Sequence, residues 1–192
     1  ASLRRDPDVA AIEPDYRVQH HAATPNDPGY SDQQYSSSQP VGQWYLKANS
    51  GEVRSAINAQ GAWPFSQGDA SVVIAVLDTG ILFEHPDLMR SAAGGRLLPG
   101  YDFVSADSNG SFVRANDGDG WDDDPSDPGD WVDDALLTNH PDSLSGCSTD
   151  KSSWHGTRTS ALVGSLSQNG MGIAGVDWRA RLLPVRVLGR CG

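Results

Sequence analysis

The sequence predicts an α/β fold built around a central, mostly parallel sheet. Residues 72–78 and 181–188 are largely apolar runs of strand length, which is typical of parallel strands covered on both faces. Residues 154–166, which lie between them, have helical character. Strands that alternate with helices indicate a sheet with helices packed against it. The buried face of the predicted helix is expected to comprise Ala161, Leu162 and Leu166.

The remaining elements follow in chain order. Residues 1–22 contain a short strand-like element. Residues 23–43 are rich in Pro, Ser, Asn, Asp and Gln, the composition of an exposed connector, and this places a boundary near residue 22. Residues 52–63 carry apolar side chains at mostly helical spacing, and residues 97–104 predict a further strand.

The charge of the chain is concentrated in one segment. The formal net charge is -11 at pH 7, which argues against a basic, nucleic-acid-binding surface. Residues 116–135 contain nine aspartates and no basic residue, so they carry most of that charge. They belong to a long polar stretch, residues 105–152, and loops of such length in compact domains are usually functional or organised by a metal ion.

Membrane and targeting signals are not visible in the sequence. No run of about 18 apolar residues occurs, so no membrane span is predicted. The chain starts at Ala1 without the charged and apolar regions of a signal peptide, and we expect it to be cut at both ends. Cys147 and Cys191 allow either one disulfide bond, which implies an oxidising compartment, or two buried thiols.

Asp78 ends the apolar run 72–78 at the point where the chain turns through Thr79 and Gly80. In open α/β sheets, ligands bind beyond the carboxyl ends of the strands. Asp78 is therefore a candidate catalytic residue or metal ligand. A structural aspartate that caps the turn fits the same pattern.

His155 is the second candidate, at the start of the predicted helix 154–166. The free N–H groups of a helix N-terminus favour a neutral, proton-accepting imidazole. A carboxylate on the other ring nitrogen would fix the tautomer and stabilise the imidazolium that forms during a reaction. A lone histidine in this position is more often structural, so the hypothesis depends on a pairing between Asp78 and His155.

Three segments, taken together, resemble one known family. VVIAVLDTGILFEHPDL (72–88), HGTRTSA (155–161) and GIAGVDWRARLLPVRVLG (172–189) match, in order, the N-terminal half of the catalytic domain of subtilisin-like serine proteases. The resemblance covers roughly residues 25–192. It implies a three-layer subtilisin-like fold that is incomplete in this chain.

The resemblance also implies a reaction. The family carries its catalytic residues in the order Asp, His, Ser, which makes Asp78 the catalytic aspartate and His155 the general base. The function would be that of a secreted, extracellular serine endopeptidase that cleaves protein or peptide substrates. The full-length enzyme would be a monomer that binds neither nucleic acid nor membrane.

The chain departs from the family pattern in two respects. Arg158 stands where the family usually has a second histidine, and Thr159-Ser160-Ala161 replaces the usual V-A-G. The chain also lacks the G-T-S-x-A element with the nucleophile and the segment with the oxyanion-hole asparagine. Because loss of the nucleophile leaves only residual catalysis, we expect this 192-residue fragment to be inactive by itself.

The N-terminal segment resembles the end of the family's propeptide, through Val9, Ile12, Glu13 and Asp15. Residues 1–22 would then be the C-terminal tail of an inhibitor-type propeptide, and residues 23–192 the N-terminal portion of the catalytic domain. The propeptide would be a partner of the enzyme, since in the family its tail occupies the substrate cleft until it is cut. An ordinary N-terminal strand is the alternative.

Calcium is the cofactor that the resemblance implies, in a structural role. Calcium prefers six to eight oxygen ligands, and the matching positions are Asp27, Asp87 and Asn169. The aspartate-rich segment 116–135, called the acidic loop below, is a second candidate for a calcium site, because its like charges repel unless a cation or water screens them. A solvated loop is the alternative. Its candidate ligands are Asp117, Asp119, Asp122, Asp123, Asp124 and Asp127.

The resemblance further implies a bridge between Cys147 and Cys191, because some secreted bacterial members have cysteines at both positions. An aspartic protease is disfavoured, since a single D-T-G occurs and Ile81 follows it. Dinucleotide binding is disfavoured because no G-x-G-x-x-G follows the strand 72–78. A non-catalytic, calcium-binding scaffold of the same family is the alternative to a protease.

Overall fold

The computed structural model describes residues 24–31, 42–49 and 54–192. The predicted propeptide tail, residues 1–22, lies outside these ranges.

The described residues form a sheet of three parallel strands, which confirms the predicted α/β fold. β1 spans Val73–Asp78, β2 spans Tyr101–Asp102 and β3 spans Arg181–Arg186. β3 lies between the other two, in the order β1-β3-β2. Asp78 is the register partner of Arg186, so the carboxyl ends of β1 and β3 lie side by side. The sheet is open, and β1 forms one of its edges.

The same ranges contain four α-helices. They are α1 (Pro28–Ser31), α2 (Ala59–Ala62), α3 (Asp134–Asn139) and α4 (His155–Gly164), with 3₁₀ helices at Trp44–Leu46 and Ser91–Ala93. Among the described residues, no helix combines the length and apolar character needed to cross a membrane.

α4 packs against the sheet through small side chains. Its buried residues are Gly156, Thr157, Ser160, Ala161 and Gly164. A Cβ at Gly164 would lie 3.2 Å from the side chain of Leu182 on β3, so the helix approaches the strand closely. Because only small residues fit this contact, Leu162 points outward, and the prediction that it lies on the buried face was wrong.

The core beneath α4 consists of aliphatic and aromatic side chains from β3, α4 and the loops that follow β1. Its members are Ile81, Phe83, Leu88, Leu97, Ala161 and Leu182. A second cluster joins the N-terminal segments to the loop before β3 and contains Tyr30, Leu46, Ala59, Trp63 and Ala174.

The opposite face of the sheet is exposed in the described part of the chain. Val73 and Leu77 of β1 point to this face, and Leu77 is 62% exposed. Val187, just after β3, is also exposed. The expectation that these strands are covered on both faces is therefore met on one face only.

The expected connector, residues 23–43, is buried at some of its described positions and exposed at others. Asp27, Tyr30 and Gln43 are each almost inaccessible to solvent. The Gln43 side chain exchanges hydrogen bonds with the backbone of Ala174, through Ala174 N–H (2.7 Å) and Ala174 C=O (2.8 Å). Part of the polar composition of this segment therefore serves buried hydrogen bonds, and the prediction of an exposed connector was wrong for these three residues.

Two further elements are shorter than predicted. In the segment 52–63, only Ala59–Ala62 is helical among the described residues, because the backbone N–H groups of Ile57 and Asn58 bond to the carbonyls of Tyr45 and Lys47 instead of to their own turn.

In the segment 97–104, the regular strand is limited to Tyr101–Asp102. Pro99 has no N–H to donate, and Gly100 adopts a φ of 83°, which together interrupt the ladder. The chain nevertheless runs beside β3 before this interruption, since the N–H of Leu98 donates to the carbonyl of Leu182 over 2.8 Å.

Candidate active site

Asp78 and His155 meet at the carboxyl end of the sheet. Asp78 is the last residue of β1 and is buried, and His155 is the first residue of α4. The His155 Nδ1 atom lies 2.8 Å from both carboxylate oxygens of Asp78. The same carboxylate accepts the backbone N–H of Thr79 over 2.8 Å. The histidine side chain is 66% exposed, so the rest of its ring faces solvent.

This geometry suits a histidine that takes up and releases a proton. A carboxylate at Nδ1 favours the tautomer with the proton on Nδ1 and leaves the Nε2 lone pair available. The carboxylate also stabilises the imidazolium that forms when Nε2 accepts a proton. The pair therefore has the arrangement of a general base with its orienting carboxylate.

Two glycines allow the strand end and the helix start to approach each other. Gly80 has a φ of 105°, and a Cβ there would lie 2.7 Å from the carbonyl oxygen of Pro125. A Cβ at Gly156 would lie 2.1 Å from the carbonyl oxygen of Gly80. A larger residue at Gly156 would push α4 away from the end of β1, whereas one at Gly80 would collide with the backbone of Pro125 and Asp127.

The Thr79 hydroxyl connects three parts of the site. It donates to the Asp127 carboxylate over 2.7 Å and accepts the backbone N–H of Gly156 over 3.0 Å. Asp127 also accepts the N–H of Gly129 over 2.8 Å, and burial raises the pKa of its carboxyl group. This role of Thr79 was not predicted from the sequence, although the threonine of D-T-G marks the position.

The first predicted calcium set is brought together. Asp27 accepts the backbone N–H groups of Gln168 and Asn169, over 3.0 and 3.2 Å. The Asn169 side chain donates to Asp87 over 2.8 Å, and Asp87 also accepts the N–H of Ile173 over 3.0 Å. The loop 167–173 therefore wraps around two buried carboxylates.

These residues fit a hard cation. From the described residues, each carboxylate accepts two backbone or amide donors, out of about four acceptor positions that a carboxylate offers. Neither Asp27 nor Asp87 forms an ion pair within 4.0 Å in the described part of the chain. Two buried carboxylates without an ion pair among the described residues supply part of the oxygen set that calcium prefers, while the Asn169 side chain presents its N–H to Asp87 and its oxygen to the N–H of Met171.

The second predicted calcium set is dispersed. The side chain of Asp117 pairs with the buried Arg186 of β3, which also pairs with Asp102 and donates to the Ala115 carbonyl. Asp127 bonds to Thr79 as described. Two of the charges that were expected to repel one another thus have partners within the protein.

The other aspartates of the acidic loop make local turns or face solvent. Asp122 and Asp124 accept backbone N–H groups two residues further on, whereas Asp119 and Asp123 are exposed. Within the described ranges, no group of three or more His, Cys, Asp or Glu side chains is arranged to hold a metal ion. The structure therefore does not assemble the six predicted ligands into one site.

A disulfide bond joins Cys147 to Cys191, the pairing that the resemblance implied. The two Cα atoms are 5.8 Å apart, and 44 residues separate the cysteines in sequence. The bond ties the loop before α4 to the segment that follows β3. It should stabilise the fold by about 4 kcal/mol on the chain-entropy model.

Comparisons with known proteins agree with this architecture. A model of the subtilase family (peptidase S8) matches residues 69–192. The extracellular basic protease of Dichelobacter nodosus is 37% identical over the whole chain. The extracellular protease of Xanthomonas campestris pv. campestris is 35% identical over 99% of it. The chain spans 27% of the length of each of these two relatives.

A solved structure gives the same result. A protease from Pseudoalteromonas arctica PAMC 21717 is 39% identical and superposes with a TM-score of 0.59. The match covers 88% of this chain and 40% of that chain. Since the family model matches well over half of the residues, the chain belongs to the subtilase family.

Proposed function

We propose that this chain supplies Asp78 and His155 to a serine endopeptidase whose nucleophilic serine comes from outside the 192 residues. The observation that carries the proposal is the 2.8 Å contact between His155 Nδ1 and the Asp78 carboxylate, with the remainder of the ring exposed. We call the longer protein that contains this chain and that serine the complete protease.

The proposed reaction is acyl transfer through a serine ester. His155 takes the proton of the serine hydroxyl as it attacks the peptide carbonyl, and later gives that proton to the leaving amine. Asp78 holds the imidazole in the required tautomer and stabilises its charged form. By itself, the chain has the orienting carboxylate and the base but no nucleophile, so it is expected to be inactive.

The setting of the enzyme is part of the proposal. Two relatives are named extracellular proteases, and a disulfide bond suits an oxidising compartment. We therefore propose a secreted, monomeric enzyme with protein or peptide substrates. Residues 1–22 would be the tail of a propeptide that binds the substrate cleft before it is cut.

The experiment for this function uses a fluorophosphonate, which reacts covalently with activated serines. We expect the complete protease to hydrolyse a broad peptide substrate and to lose that activity after one equivalent of the reagent is bound. An inhibitor of aspartic proteases serves as the control and should have no effect. A complete protein that folds but neither cleaves peptides nor reacts with the fluorophosphonate would favour a non-catalytic scaffold.

Calcium is proposed at Asp27, Asp87 and Asn169, where it would hold the loop 167–173 against the N-terminal segment. Removal of the ion with a chelator should leave two buried carboxylates uncompensated. We expect the free energy of unfolding to fall by about 3 kcal/mol, the linkage value for an ion present at roughly 100 times its Kd. Melting curves with chelator, then with added calcium or sodium, measure this effect.

The control for the calcium prediction is a pair of variants. Asp87→Ala should lower the melting temperature in calcium and remove its dependence on the chelator. Asp123→Ala, at an exposed aspartate of the acidic loop, should behave like the unmodified protein. Equal melting temperatures with and without chelator would contradict the proposed site.

A further inference from the structure

We propose that Asp127 is a positioning residue for the Asp78–His155 pair and that it acts through the hydroxyl of Thr79. This inference rests on the proposed protease function. Asp127 belongs to the acidic loop and lies 48 residues from Thr79 in sequence, yet the two side chains form a buried hydrogen bond of 2.7 Å.

The direction of this hydrogen bond orients the Thr79 hydroxyl. A threonine hydroxyl has one proton and two lone pairs. The Asp127 carboxylate accepts that proton, so the lone pairs of Thr79 Oγ1 are left for the N–H of Gly156, which lies 3.0 Å away. Without Asp127 the hydroxyl would lose the acceptor that fixes its rotation, and the contact to Gly156 would no longer be held in place.

The N-terminus of α4 depends on this hydroxyl for a hydrogen-bond partner. α4 begins at His155, and its N-cap residue, Trp154, is in the left-handed region and gives no side-chain cap. The first N–H groups of a helix need partners from outside it. Thr79 supplies one of them from the end of β1, in the way that a capping hydroxyl usually does from the helix itself.

The hydroxyl also joins the two residues next to the catalytic pair. Thr79 follows Asp78, and Gly156 follows His155, so the contact between Thr79 and Gly156 connects both backbone segments. Both side chains of the hydrogen bond that orients this hydroxyl are buried: Asp127 is 6% exposed and Thr79 is 5% exposed. A movement of either backbone segment would change the distance between Asp78 and His155.

The acidic loop supports the other side of His155 as well. Asp130 accepts the backbone N–H and the hydroxyl of Ser153, both over 2.6 Å. Ser153 lies two residues before His155. The backbone of Asp127 and Pro125 also pairs with Ile81, just after Gly80, over 3.0 Å in each direction. The segment 125–130 thus contacts the chain on both sides of the pair.

The experiment measures kcat and KM of the complete protease and its variants with one peptide substrate. We expect Asp127→Ala and Thr79→Val each to lower kcat by about 10-fold to 100-fold, the size of effect expected when a reacting group is displaced by about 1 Å. KM should stay within about twofold of the unmodified value, because both side chains are buried beneath the surface that a peptide can reach. A purely structural role would lower the yield of folded protein and leave kcat of the folded fraction unchanged.

Two features distinguish action through Thr79 from a general effect. Thr79→Ser keeps the hydroxyl and should keep kcat, whereas Thr79→Val removes it at the same volume. The double variant of Asp127→Ala and Thr79→Val should be no slower than the slower single variant, because both changes break the same connection. Additive losses would show that Asp127 does not act through Thr79. Asp123→Ala is the control and should match the unmodified enzyme.

The outcomes separate this inference from the proposed function. If the complete protease is inactive, or if His155→Ala leaves its activity intact, the proposed function fails. If activity depends on His155 but Asp127→Ala keeps its kcat, the positioning role is overturned and the protease stands. Should the alanine and valine variants not fold, Asp127→Leu, which has no hydrogen-bond acceptor, and Thr79→Ser decide: we expect a lower kcat for the first and not for the second, and equal values overturn the inference.

Discussion

Replacing His155 with alanine in the complete protease is expected to lower kcat by at least about 10⁴-fold, with little change in stability. The expectation follows from the exposed position of the ring and from its contact with Asp78. No other histidine in the described part of the chain pairs with a carboxylate at one ring nitrogen while the rest of its ring faces solvent. Steady-state hydrolysis of a peptide substrate measures this effect.

Two further variants make this prediction specific. Asp78→Asn should lower kcat by a similar factor of about 10⁴, because an amide at this position permits the wrong tautomer of His155. His140→Ala changes an exposed histidine that follows α3, and its kcat should stay within about twofold of the unmodified value, as surface substitutions usually have small effects. A His155→Ala protein that keeps a tenth or more of the activity would contradict the assignment of the general base.

The Asp78–His155 pair was predictable because local patterns mark both residues. The apolar run before Asp78 and the glycines after each residue are visible in the sequence, and the resemblance to a known family linked the two segments. The structure adds the reason for the glycines: a side chain at Gly156 would collide with the backbone of Gly80, and one at Gly80 with the backbone of Pro125. The two residues that local sequence patterns mark are thus the same two residues that meet in the folded structure.

The acidic loop was not predictable in the same way, since its charges have partners far away in sequence. Asp117 lies 69 residues before Arg186, and Asp127 lies 48 residues after Thr79. A count of aspartates indicated repulsion that a cation or water had to screen, but it did not show that Arg186 of β3 pairs with Asp117 of the loop. The sequence therefore suggested calcium for the whole loop, whereas the structure pairs Asp117 with a guanidinium and Asp127 with a hydroxyl group.

Burial of the N-terminal segment was missed for a similar reason. Residues 23–43 have the composition of a connector, yet Asp27 and Gln43 bond to residues more than a hundred positions later in the chain. Composition reports how polar a segment is, not whether its polar groups find partners in the interior. The exposed face at Leu77 shows the reverse case, where an apolar pattern has no cover among the described residues.

Replacing Arg186 with methionine is expected to lower the free energy of unfolding by about 3–5 kcal/mol, because removal of one partner leaves a buried charge uncompensated. Arg186 is almost fully buried and pairs with Asp102 and Asp117. Methionine has a similar length and fills the space without the charge. The variant is best made together with His155→Ala, so that self-digestion does not obscure the unfolding curve in urea.

The control for this prediction lies on the same strand. Arg181, at the other end of β3, is exposed, and Arg181→Met should change the free energy of unfolding by no more than about 0.5 kcal/mol. A loss of the same size in both variants would show that the buried ion pairs are not responsible.

The loss in Arg186→Met should depend on pH, and the sign follows from Asp102. Burial raises the pKa of the Asp102 carboxyl group, while Arg186 and the N–H of Val104 oppose that change. Without Arg186, the pKa of Asp102 in the folded state lies further above its value in the unfolded chain. The folded state then binds more protons between these two pKa values, so stability falls as pH rises through that window.

The variant should therefore lose less stability near pH 4 than at pH 8, because at low pH Asp102 is neutral and needs no counter-ion. Urea unfolding at the two pH values tests this, and an equal loss at both would mean that Arg186 stabilises the loop by packing and not by its charge.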